Sequence, residues 1–248
     1  MEEWIVALLT VGMLLAAFGY AAVGHGGASA YIAAMALAGV APAEMRPIAL
    51  LLNILVSSLG AWKFFRAGFF RWRLFWPFAV VSIPLAYLGG AITLPGQAYK
   101  ILVGAVLLYA AWQLWRSGKS GGEMREVREP PLAWAMAIGA AMGLLAGLTG
   151  VGGGIFLSPL LLMLGWAGTK QTSAVAAPFI LVNSLAGLAA VFMAKGAGLP
   201  GYVAVLAPAV LIGGWLGAEY GSRRFANPLV RRFLAIVLAL AGVKMLSV

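Results

Sequence analysis

Ten apolar segments follow one another along this 248-residue chain, and most of them are about 20 residues long. A stretch of that length crosses the roughly 30 Å hydrocarbon core of a bilayer as a single α-helix. We therefore predict an all-α, polytopic membrane protein with 8–10 membrane helices. Charges, Gly and Pro delimit the segments at 4–23, 28–40, 44–65, 74–93, 98–115, 132–149, 154–166, 170–194, 201–221 and 229–247.

The charged residues support a lipid environment. They make up only 10% of the chain, whereas a soluble domain carries about 25%, so there is too little polar surface to cover a globule in water. The net charge of +10 resides in short loops, where basic residues set topology and contact lipid headgroups. We therefore expect membrane lipids, and no nucleic acid, as partners. Cys is absent and no acidic residue lies in the middle of a segment, so we expect no metal site and no cofactor.

The second and seventh segments have 13 residues each, which at about 1.5 Å per residue is too short to cross the core. Each therefore either crosses with help from its flanks or returns with the preceding segment as a re-entrant hairpin. A polar stretch at 117–131 divides the chain into two groups of five segments, 1–116 and 132–248. We predict that this stretch is a cytoplasmic linker within one integral membrane domain.

The two groups of segments are related to each other. Gly24-His25-Gly26-Gly27 corresponds to Gly150-Val151-Gly152-Gly153 at an offset of 126 residues, and the same offset brings Ser57-Ser58 onto Asn183-Ser184. Because each repeat holds an odd number of segments, the second copy enters the membrane upside down. Inverted-topology repeats of this kind are typical of secondary transporters.

The distribution of positive charge supports the inversion. If the basic 63–73 loop is cytoplasmic, alternation places 13 of the 17 Lys and Arg residues inside, as the positive-inside rule requires. Treating each short segment as re-entrant on its own gives only 10 inside and 7 outside. We predict an inner-membrane protein of a bacterial or archaeal cell with both termini outside. The inside residues are Lys63, Arg66, Arg71, Arg73, Arg116, Lys119, Arg125, Arg128, Lys170, Arg223, Arg224, Arg231 and Arg232.

A glycine cluster precedes each short segment. Glycine permits positive φ and a close approach of the backbone, and N–H groups at a helix N-terminus bind anions. The alternative is that these glycines only let helices pack closely. We take as candidate substrate-binding residues Gly24, Gly26, Gly27, Gly150, Gly152, Gly153 and Gly154.

A few polar residues lie near the predicted midplane of the membrane. Asn53 and Ser57 are in the middle of the third segment, and Asn183 and Ser184 are in the middle of the eighth. Each could donate to an oxyanion, with Asn183 the stronger candidate; alternatively they form hydrogen bonds between helices, worth about 0.6–2 kcal/mol each. His25 is the only histidine, and it either binds an anion or a proton or is a neutral ring in a turn.

The run from Gly150 to Pro159, Gly-Val-Gly-Gly-Gly-Ile-Phe-Leu-Ser-Pro, resembles the signature of the sulfite exporter TauE/SafE family, and Thr172-Ser173 resembles its Thr-Ser motif. The first copy departs from the pattern, since Ala28 replaces the third glycine and Arg46-Pro47 stand in place of Thr-Ser. The resemblance implies transport of small sulfur oxyanions, sulfonates or related organic anions. It also adds Thr172 and Ser173 to the candidate binding residues.

Two other functions compete with transport by alternating access. Gly27-Ala28-Ser29-Ala30 matches the GxSx pattern of rhomboid-like serine proteases, but a nucleophile needs a base beside it, and the only histidine lies in the same turn. A passive anion channel is the other alternative. We expect a secondary transporter of a small anion, not an enzyme, and the oligomeric state stays open.

Overall fold

The computed structural model describes residues 2–22, 26–117, 128–195, 198–223 and 228–247, and over these ranges it contains helices and no strand. Gly24, His25 and residues 118–127 of the linker lie outside the described residues. Seven of the helices are long and apolar enough to cross a membrane, so the predicted all-α polytopic class is confirmed. The helices are α1 (Glu3–Ala21), α2 (Ala28–Leu37), α3 (Pro42–Arg66), α4 (Trp72–Ala91), α5 (Gly96–Ser117), α6 (Leu132–Thr149), α7 (Gly154–Met163), α8 (Thr169–Lys195), α9 (Val203–Arg223) and α10 (Pro228–Ser247).

Helices α2 and α7 are shorter than the segments at 28–40 and 154–166 that predicted them, with ten residues each. Both end at a glycine of positive φ, Gly39 at 77° and Gly165 at 68°. In each case the next residue donates its N–H back five positions, from Val40 to Met35 at 3.0 Å and from Trp166 to Leu161 at 2.9 Å, a Schellman cap that stops the helix. Ten residues rise only about 15 Å, which favours the hairpin interpretation of both short segments.

The paired long helices pack in the directions that an inverted repeat requires. Helices α3 and α8, which occupy equivalent positions in the two groups, run antiparallel, and so do α5 and α10. Equivalent helices have opposite directions only when one copy is inverted. These directions agree with the inverted repeat, which itself stays a prediction. The neighbours are Leu50 with Gly187, Asn53 with Ser184, Gly60 with Ala177, Gly104 with Leu246, and Leu108 with Gly242.

Glycines spaced four residues apart join the remaining long helices. Gly139, Gly143 and Gly147 of α6 lie directly on the backbone of α4, and Gly213 and Gly217 of α9 lie in the same way on α1. A Cβ at any of these five positions would clash with a carbonyl oxygen, so small residues are required for the close helix contact. These glycines are scaffold residues, unlike the two clusters that head the short helices.

Large aromatic side chains on the outside of the bundle fit the lipid interface. Tryptophan rings concentrate at the headgroup level of membranes, and the six tryptophans near predicted segment boundaries are all exposed. They are Trp62, Trp72, Trp76, Trp112, Trp115 and Trp134.

Candidate functional site

Asn53 occupies the centre of the bundle, fully buried half-way along α3. Its Oδ1 accepts a hydrogen bond from the N–H of Ala28 at 3.3 Å. Its Nδ2 donates to the carbonyl of Val151 and to Oγ of Ser184, each at 3.3 Å. One amide therefore links the start of α2, the turn before α7 and the middle of α8.

Gly26 and Gly152, which correspond in the two copies, flank this amide. A Cβ on Gly26 would clash with Oδ1 of Asn53, and a Cβ on Gly152 would clash with its Nδ2. Both added atoms would also press on the side chain of Ile180. The two glycine clusters thus converge on one place, 126 residues apart in sequence but on opposite sides of a single side chain.

Helices α2 and α7 both begin at this place, after Gly27 and Gly153 respectively. The first N–H groups of a helix have no partner within it, and each N-terminus carries about half a positive charge. Among the described residues, no Asp or Glu is buried to oppose that potential. Two helix N-termini that begin beside one buried amide, with the first N–H of α2 directed at it, make a place suited to an anion.

The two clusters reach the site through different backbone conformations. In the second copy, Gly150, Gly152 and Gly153 have φ of 86°, 77° and 81°, a left-handed conformation that glycine adopts readily and other residues rarely do. In the first copy the described glycines are not left-handed, since Gly27 has φ of −89° and Gly26 is not among the glycines of positive φ. Glycine is needed at Gly27 for room, because a Cβ there would clash with the ring of Tyr31.

The remaining predicted residues differ in their partners. Ser57 is buried, and its Oγ donates to the Asn53 carbonyl of its own helix at 2.6 Å. Asn183 is fully buried, and neither its Nδ2 nor its Oδ1 has a hydrogen-bond partner; the same holds for Oγ1 of Thr172. Ser173 is also buried. A buried amide without partners is a costly group, and a bound ligand would satisfy it.

Asn183 and Asn53 form no hydrogen bond with each other. Adjacent helix residues point about 100° apart, so Asn183 faces a different direction from Ser184, which binds Asn53. The sequence favoured Asn183 over Asn53. At the repeat offset, Asn53 aligns with the apolar Phe179. The central position of Asn53 had no signal in the repeat.

A narrow crevice of about 10 Å³, room for about one water molecule, leads away from the site on one side. It runs toward the C-terminal end of α3, the side of the basic loop predicted to be cytoplasmic. On the opposite side, the Tyr99 hydroxyl donates to the Thr149 carbonyl at 3.2 Å, and the Val151 N–H donates to Thr149 Oγ1 at 3.3 Å. The crevice residues are Ala21, Gly26, Val56, Ser57, Gly60, Phe64, Ala177 and Ala218.

An ion pair lies near this crevice. Nζ of Lys63 on α3 is 2.9 Å from a carboxylate oxygen of Glu219 on α9, and Nζ also lies 4.4 Å from the centre of the Trp215 ring. Both contacts join α3 to α9 at the level of Gly60 and Phe64, which line the crevice. They tie the two helices together on the side predicted to be cytoplasmic.

Ser29, which the sequence offered as a possible nucleophile, does not donate its hydroxyl proton to a histidine or carboxylate. Oγ of Ser29 is buried and donates to the hydroxyl of Tyr20 at 2.8 Å. The hydroxyl of Tyr31, buried beside Gly27, has no partner. Sequence reasoning did not select these tyrosines, since aromatic residues in an apolar segment look like core.

Comparison with known proteins yields two matches. The model of the family described as "Sulfite exporter TauE/SafE" matches residues 8–245. A curated protein of Sinorhizobium fredii (strain NBRC 101917 / NGR234), called "Probable membrane transporter protein y4hK", is 39% identical over 240 residues, which cover 96% of this chain and 97% of the relative. No solved structure matches the chain.

Proposed function

The chain belongs to the sulfite exporter TauE/SafE family, and on this premise we propose that it is a secondary transporter of small anions, sulfur oxyanions or organosulfonates. The family and the seven candidate spans make it a multi-pass membrane transporter. Its chemistry is binding and release, so the proposal assigns it no catalytic residue, metal or cofactor.

The convergence of the two half-helices on Asn53 supports an anionic substrate. Backbone N–H groups and helix dipoles attract negative charge, so an anion can bind there without a buried Lys or Arg in contact with it. Because Gly26 and Gly152 lack side chains, the Asn53 amide fits between them, and a ligand reaches the backbone N–H groups there only when this amide moves aside. An oxyanion, with several acceptor oxygens, can accept hydrogen bonds from both half-helices at once.

Alternating access follows from the unequal sides of the site. A crevice leads from Gly26 and Ser57 toward the predicted cytoplasmic side, while on the opposite side no such crevice is found among the described residues and Tyr99 is bonded to the Thr149 carbonyl. In an inverted repeat, movement of one copy against the other exchanges the open and closed sides. We infer that the protein in this conformation is close to an inward-facing state.

A binding screen of the purified protein tests the substrate class. We expect sulfite, thiosulfate, sulfoacetate or a short carboxylate to raise the melting temperature, because a ligand that binds only the folded state stabilises it. A response to metal cations alone would contradict the anion site. Substrate accumulation against its gradient in proteoliposomes would separate the proposed carrier from a passive channel.

The unpartnered amide of Asn183 gives a prediction that runs opposite to ordinary core mutagenesis. Asn183→Leu should leave the melting temperature unchanged or raise it, because it removes a buried polar group without partners. If the amide binds the substrate, the same variant should bind the screened anion about 10-fold more weakly, which corresponds to about 1.4 kcal/mol. Isothermal titration and thermal unfolding of one preparation measure both. Unchanged affinity would remove Asn183 from the site.

The proposed orientation, with both termini outside and residues 117–131 in the cytoplasm, can be tested directly because the chain has no Cys. We expect a Ser120→Cys variant to react with a membrane-permeant maleimide and not with an impermeant one added to intact cells. A cysteine placed at Glu2, next to the N-terminus, is the matched control and should react with both. Labelling of Ser120→Cys by the impermeant reagent would reverse the orientation.

A further inference from the structure

Arg46 is a buried arginine that the proposed site does not use. It lies in the second turn of α3 with 5% of its surface exposed. Its guanidinium donates to the carbonyls of Gly90 at 2.9 Å, Ile92 at 3.0 Å and Gly89 at 3.4 Å, at the C-terminal end of α4. These carbonyls are neutral groups, and a helix C-terminus offers only about half a negative charge.

No carboxylate among the described residues forms an ion pair with this guanidinium. The nearest acid in sequence, Glu44, instead accepts a hydrogen bond from the hydroxyl of Tyr202 at 3.0 Å. Burial, and then the Glu44 carboxylate, raise the pKa of Tyr202 above its usual value, so that hydroxyl stays a donor. A buried charge without a full counter-charge is expensive, which indicates that Arg46 has a use beyond holding α4.

Arg46 is also close to the anion site. A Cβ on Gly150 would lie 3.1 Å from Cγ of Arg46, so the arginine borders the glycine turn that leads into α7. Arg46 precedes Asn53 by seven residues, two helical turns, so both side chains leave the same face of α3 about 10 Å apart. Arg46 thus lies on the Thr149 side of the site, which is predicted to face outside.

We propose that Arg46 is a specificity-determining counter-charge, which makes the site favour dianions over monoanions. The inference rests on the proposed anion transport. For a ligand at a distance from the guanidinium on the order of 10 Å, with an effective dielectric constant near 20, one unit of charge changes affinity by about 10-fold. A dianion feels twice that interaction. The position that corresponds to Arg46 in the second copy is Thr172, so the counter-charge is present on one side of the site only.

The test compares two anions of similar size, the dianion sulfoacetate and the monoanion isethionate, on purified protein. Arg46→Gln removes the charge and keeps an amide donor for the α4 carbonyls, whereas Arg46→Lys keeps the charge. We expect the ratio of the two dissociation constants to change by about 10-fold in Arg46→Gln and to stay near the wild-type value in Arg46→Lys.

A purely structural role for Arg46 predicts a different pattern, in which both variants are less stable and the ratio is unchanged; that result would overturn the proposal and leave anion transport intact. If wild-type protein binds neither anion nor any other in the screen, the proposed function fails and this inference fails with it. Should Arg46→Gln not fold, the wild-type protein decides, because a protein that does not prefer sulfoacetate over isethionate contradicts the counter-charge.

Discussion

Gly152→Ala is expected to abolish substrate binding, with a loss of at least about 100-fold, on the order of 3 kcal/mol. The added Cβ would clash with Nδ2 of Asn53 and lie 3.0 Å from Oγ of Ser184. The Asn53 amide must move, so its bonds to Val151 and Ser184 are lost together. A displaced Asn53 amide no longer holds the starts of α2 and α7 in the arrangement that the proposed anion site needs.

Gly39→Ala is the matched control for this change. Gly39 and Gly152 have the same φ of 77°, but nothing lies within 4 Å of a Cβ on Gly39. Both variants therefore bear the same left-handed strain of about 1–2 kcal/mol, and only Gly152→Ala disturbs the site. Titration calorimetry on folded protein should show wild-type affinity for Gly39→Ala. Wild-type affinity in folded Gly152→Ala as well would mean that the cluster serves helix packing alone.

Asn53→Leu is expected to produce the largest loss of stability, about 3–5 kcal/mol. The substitution leaves three buried groups without a partner, the Ala28 N–H, the Val151 carbonyl and the Ser184 hydroxyl. Each such group costs about 1–3 kcal/mol, although relaxation reduces the sum. Because Asn53 joins the starts of both half-helices, anion binding should be lost too. Unfolding in denaturant, followed by tryptophan fluorescence, measures the effect.

Substitutions at two other residues serve as controls for Asn53→Leu. Ser58 is exposed, and its Oγ donates to the Ile54 carbonyl of its own helix at 2.7 Å, so Ser58→Ala should alter stability by less than about 0.5 kcal/mol. Asn183→Leu, an identical exchange on α8, should not destabilise the protein at all. Equal losses from Asn53→Leu and Asn183→Leu would show that the bonds of Asn53 are not what holds the half-helices together.

Much of the architecture was predictable from local sequence. Each of the ten predicted segments corresponds to a helix with bounds that differ by a few residues, because hydropathy over a span of 20 residues depends on the span alone. The lengths of α2 and α7 were overestimated at 28–40 and 154–166, since apolar residues continue past the caps at Gly39 and Gly165. A sequence motif also identified the family, which the match over residues 8–245 confirms.

The partners of the candidate residues were decided only by tertiary structure. Asn53 bonds across 98 residues to Val151 and across 131 residues to Ser184, and no local pattern specifies such pairs. For the same reason the sequence favoured Asn183, while the fold satisfies Asn53 and leaves Asn183 without a hydrogen-bond partner. Arg46 looked like a departure from a family motif until the fold placed it between α4 and Gly150. Hydropathy selects helices one at a time, whereas hydrogen bonds and buried charge depend on which helices meet.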